Sequence, residues 1–73
     1  MKKIKFTVHH TYGLSREEVF SLEELSIKNI PTENISKDNK QLTDQITPLL
    51  IDWTKKHYNH GDALPGWEVV NVD

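Results

Sequence analysis

The residues best equipped for chemistry are four histidines, paired as His9-His10 and as His57 with His60 three positions later, and followed by Asp62. Imidazoles at i and i+3 on a helix can share a metal, and a strand histidine or the Asp62 carboxylate can complete the set. Several features oppose that reading. Neighbouring strand residues point to opposite faces, so at most one of His9 and His10 can join. His57 falls on the apolar face of a helical pattern, where it packs and uses only its polar tip. His60 sits where a helix C-terminus favours positive charge. The spacing also matches no closed structural zinc pattern. A metal or small-ligand site on His57, His60 and Asp62 is therefore the alternative reading, and no cofactor is expected.

Carboxylates occur in two pairs, Glu17-Glu18 and Glu23-Glu24. General acid–base work needs two groups converging in a water-poor pocket, whereas adjacent residues on a strand diverge. A solvated acidic face is the expectation, and such a face suits a basic surface such as the nucleic-acid channel of a host enzyme. Ser15 and Ser21 lie in no Gly-x-Ser-x-Gly elbow, and Gly13, Gly61 and Gly66 form no phosphate-cradling loop. The chain reads as a binding protein and not an enzyme. Among the aromatics, Tyr12, Tyr58 and Trp67 stand outside the clear apolar faces, and Trp and Tyr are the usual anchors of protein interfaces. Trp67 reads equally well as closing one edge of the core. The candidate contact surface is Tyr12, Glu17, Glu18, Glu23, Glu24 and Trp67, which a homodimer through the exposed sheet face would share.

These side chains need elements to hold them. Residues 3–10 alternate, with Ile4, Phe6, Val8 and His10 on one side and Lys3, Lys5, Thr7 and His9 on the other, the period of a strand on a core. After an interruption at Tyr12-Gly13-Leu14-Ser15, residues 16–25 read either as a helix, capped by Ser15 with Glu18 or Ser21 with Glu24, or as a strand. A lone first strand needs a partner, which favours a strand over 16–21 followed by a helical turn through Leu22–Leu25. Residues 26–39 form a long connection interrupted by Pro31, of a length that tends to be functional, mobile or both.

Leu42, Ile46, Leu49, Leu50, Trp53 and His57 then fall on one helical face from about Asn39 onward. Pro48 interrupts the backbone bonding of that helix, so either the helix begins at Thr47 with Pro48 in its first position or a longer helix bends there; the unbroken periodicity favours the bend. Asn59-His60-Gly61 supplies the stop, residues 62–66 a turn, and Trp67–Val72 the last strand. The fold class is α+β: a three-stranded antiparallel sheet of order 2-1-3 in a ββαβ chain, with one long helix on one face.

Composition sets the outer limits. Seventy-three residues make a single domain that buries only about 60% of its unfolded surface. With no cysteine there is no disulfide, thiolate site or thiol nucleophile, which suits the cytoplasm. No window approaches a membrane span and the basic start lacks an apolar core, so neither insertion nor export is expected. Net charge is −2 with Arg16 the only arginine, which disfavours nucleic acid. Weak binding through Lys2, Lys3 and Lys5 is the remaining form of that alternative.

The alternating first strand, Gly13, Arg16-Glu17-Glu18-Val19-Phe20-Ser21-Leu22-Glu23-Glu24-Leu25, the helix segment Leu50-Ile51-Asp52-Trp53, and the closing Gly66-Trp67-Glu68-Val69-Val70 cover most of the chain. Together they resemble a family of small uncharacterised domains frequent in tailed-phage and prophage genomes. The chain departs from that pattern in its Asn/Lys-rich middle, in Pro48 and in the His-rich segment before Gly61. The resemblance implies an accessory viral protein of mobile-element origin and leaves its function open; it brings no catalytic residues. The reading adopted is stoichiometric binding of a host protein in the bacterial cytoplasm, with inhibition of a defence protein as one form of it.

Overall fold

The alternation of residues 2–9 produces the central strand of the sheet. The computed structural model describes residues 1–9, 15–57 and 63–72, apart from the Thr32 side chain. Strand β1 (Lys2–His9) runs between β2 (Ser15–Phe20) and β3 (Leu64–Asn71), both antiparallel to it, in the order β2-β1-β3. This is the expected ββαβ arrangement. Ile4, Phe6 and Val8 point to one face and are almost wholly buried. Lys3, Lys5, Thr7 and His9 line the other, open face, because a pleated strand alternates its side chains.

Helix α1 (Lys40–His57) covers the apolar face with Leu42, Ile46, Leu50 and Trp53 buried, as the helical spacing requires. Asn39 is its N-cap: the Asn39 Oδ1 accepts from the Leu42 N–H at 3.0 Å. Pro48 lies inside the helix on its exposed side, so the carbonyl it leaves unbonded faces solvent.

The turn after β2 has two independent caps. The Ser21 N–H donates to Glu24 Oε1 at 2.8 Å and the Glu24 N–H to Ser21 Oγ at 3.0 Å, a reciprocal capping box. At the other end the Ile27 N–H reaches the Leu22 carbonyl and the Ser26 N–H the Glu23 carbonyl, both at 3.0 Å. That is a Schellman closure, with Ser26 in the left-handed region at φ 56°. One helical turn is thereby fixed by local bonds.

Residues 26–39 hold a short 3-10 turn, Thr32–Asn34. Ile35 is buried and Ile27 and Ile30 pack on the core. The Lys28 N–H donates to Gln45 Oε1 and Gln45 Nε2 donates to the Lys28 carbonyl, each at 2.8 Å, tying the connection to α1.

Strand β3 begins at Leu64, three residues ahead of the expected Trp67, and takes in Pro65-Gly66 from the segment read as a turn. An edge strand tolerates a proline because one of its sides needs no N–H. The Val72 N–H, which donates to the Met1 carbonyl at 2.7 Å, continues the pairing past the strand's end.

Candidate functional site

Parity on β2 decides where the four glutamates go. Glu17 pairs with Thr7 and Glu18 with Phe6, so Glu17 lies on the open face and Glu18 on the helix side. Trp53 donates its indole N–H to Glu18 Oε1 at 3.0 Å, and the same oxygen stands 4.0 Å from His57 Nε2. The His57 and Trp53 rings meet edge to face at 5.4 Å. Glu18 is thus the polar partner of a buried indole. Glu23 is exposed on the turn, and Glu24 is occupied by its cap. The Ser21 N–H holds the Glu24 carboxyl below its ordinary pKa. The predicted single acidic face is therefore split among the open face, the helix side and the turn.

Trp67 takes the core alternative. It pairs with Phe6, is 8% exposed, and carries Lys37 Nζ 5.6 Å from its ring centroid. Tyr12, His10, Tyr58, His60 and Asp62 lie outside the described residues. Among the described residues no group of three histidines and carboxylates gathers as a metal site. The N-terminal lysines alternate with the strand: Lys2 donates to the Ile35 carbonyl on the helix side at 3.4 Å, while Lys5 pairs with Glu68 on the open face at 2.8 Å. That bond raises the Lys5 pKa and lowers that of Glu68. Being exposed, it adds little to stability.

An apolar concavity lies elsewhere. Helix α1 approaches β3 most closely, and on the opposite edge the helix-side residues Glu18 and Phe20 are only half buried. A groove of about 540 Å³ opens there between β2, the capped turn and α1. Phe20, Leu25, Leu49 and Trp53 form its walls over Phe6, with Asp52, Lys55 and Lys56 at the rim. The rings of Phe20 and Trp53 pack on Phe6 at 5.2 and 5.6 Å, which fixes the floor. A hollow of about 300 Å³ adjoins it across Leu25 and Leu49, reaching Ile27 and Pro48. Apolar walls with a few charged groups at the lip suit a protein or peptide side chain.

The periodicity contained part of this. Glu18 shares parity with Phe20, which already places it on the core side of β2. Leu25, in contrast, reads only as part of a helical turn and Leu49 as part of the helix's apolar face; both stay partly exposed at the groove. No helix of the described residues is long and apolar enough to cross a membrane. No family model matches the chain, and neither a curated protein nor a solved structure is similar to it.

Proposed function

We propose that this domain works by stoichiometric contact with another protein, and not by catalysis, using the groove beside β2 as its docking site. The observation that carries the reading is the groove in which Phe20, Leu25 and Leu49 stay only partly covered around the buried Trp53 ring. Aromatic and aliphatic anchors in a preformed concavity are the usual centre of a protein interface. The occupant is an extended segment of a partner protein whose apolar side chain fills the groove. Glu17, on the open face of β2, and Glu23, on the turn, are exposed carboxylates outside the groove, and they retain part of the acidic surface read from the sequence. The accessory role in a phage or mobile element rests on the resemblance of the sequence. A host defence protein as target is one form of the docking reading, and the host cytoplasm as location rests on the absence of cysteine.

The test uses tagged wild-type protein and the Leu25→Asp and Leu49→Asp variants as baits in a bacterial host lysate, with folding of each checked by circular dichroism. A partner recovered in stoichiometric amount on wild type and lost from both folded variants supports the reading. A partner held equally by all three contradicts the groove as the docking site.

A further inference from the structure

β2 lies at the edge of the sheet, and among the described residues no strand pairs with its outer side. An open edge presents unpaired N–H and C=O groups, the template for adding another strand. The two edges differ. β3 carries Pro65, whereas β2, Ser-Arg-Glu-Glu-Val-Phe, contains no proline. The charges of β2 decide which strand can add.

A second copy of the chain is the first candidate, and the register argues against it. In an antiparallel pair, residues directly opposite share a face. A two-fold axis between two β2 strands must therefore pass through a residue position and set that residue against itself. Centring the axis on the middle of the strand places Glu17 or Glu18 against its own copy, and the Glu17 register offsets that by setting Arg16 against Glu18. Like charges directly opposite are destabilising.

A foreign strand escapes that penalty, and the side chains define its chemistry. Glu17 makes no ion pair among the described residues, since Lys5, its diagonal neighbour, gives its ammonium to Glu68. A basic side chain beside Glu17 would lie on the open face. The next residue would then point to the helix side, where Phe20 and the groove wait. Lys55 and Lys56 border the groove on that side and do not face the added bases. We propose that the free edge of β2 accepts a strand from another protein, alternating basic residues beside Glu17 with apolar residues over the groove. This deepens the docking reading above and rests on it.

The test titrates isotope-labelled full-length protein with two acetylated, amidated peptides. One alternates lysine with valine and phenylalanine; the other has glutamate in place of lysine. The lysine peptide should bind roughly 1.4- to fivefold tighter, the span that one matched cross-strand charge supplies. The Glu17→Lys variant should invert the preference. On binding, amide exchange should slow at alternate residues of β2, the sign of a strand bonded at the edge. The Trp53 indole N–H resonance should shift, the sign of an occupied groove.

An indole shift without slowed β2 amides overturns strand addition and leaves groove docking standing. Slowed amides without an indole shift remove the groove from the proposal. Equal affinities, an unchanged preference in Glu17→Lys, or no binding of either peptide overturns it, as does a β2-paired homodimer in solution.

Discussion

The two flanks of this sheet share one central strand yet are finished differently. On the β3 side Trp67 is buried beside Phe6, Lys37 covers its ring, and α1 packs closest. On the β2 side Phe20 and Glu18 stay half exposed, and α1 and the capped turn leave a groove between them. Both flanks start from the same alternation in β1. The difference comes from where the helix lies across the sheet. A domain this small has apolar surface enough to close one flank fully. On the docking proposal, the closed flank supplies most of the stability and the open flank is where a partner's side chains complete the core.

The largest effect should come from breaking the closed flank. Trp67→Ala should cost about 3–5 kcal/mol, as aromatic truncations in cores do. That is comparable with the whole stability expected of a domain this size, about 4–11 kcal/mol. Leu25→Ala on the open flank should stay below about 2 kcal/mol. Urea unfolding of both variants checks the contrast, and equal losses would erase it.

The adjacent glutamates give a finer version. Glu18→Ala strands the Trp53 indole N–H and should cost about 1–2 kcal/mol. Glu17→Ala, on the open face, should stay within about 0.5 kcal/mol of wild type. Thermal melts under identical conditions compare them, and a Glu17 effect as large as that of Glu18 would contradict the face assignment.

The capped turn, which forms one end of the groove, should respond next. Ser21→Ala removes a cap of about 1 kcal/mol. Glu24 is held below its ordinary pKa in the folded state, so its contribution is complete above that ordinary value. It fades as pH falls through the lowered one. Wild type should therefore lose part of its advantage over Glu24→Gln in acid, below the usual carboxylate range, and keep it near neutrality. An advantage independent of pH would remove the charged cap from the account.

Smallest is Ser26→Gly. Serine holds φ 56° there, a conformation glycine adopts without strain, so the variant should gain about 0.5–1 kcal/mol. A loss in urea titration would mean that the serine side chain contributes something the backbone geometry does not show.

How much of this the sequence contains follows from the range of each interaction. The 2-residue period of Ile4, Phe6 and Val8, the helical spacing of Leu42, Ile46, Leu50 and Trp53, and the box formed by Ser21 with Glu24 are local. They determine strands, helix and turn, and strand order follows from the connections. The helix runs through Pro48 and does not begin there, because Pro48 stands on the exposed side, away from the buried residues Leu42, Ile46, Leu50 and Trp53. The true start of β3 at Leu64 was hidden by Pro65-Gly66, which mimic a turn but sit on an edge. Trp67 was ambiguous because its burial depends on the long-range pairing with Phe6. The groove was least legible, since Phe20, Leu25, Leu49 and Trp53 come from separate segments.

The most direct measurement is the footprint of the recovered partner on isotope-labelled domain, read as amide and indole chemical-shift changes. The account predicts the largest changes at Phe20, Leu25, Leu49 and the Trp53 indole, with little at Lys3, Glu68 and Val70. Changes centred on Lys3, Glu68 and Val70 would place the interface on the open face of the sheet and contradict it.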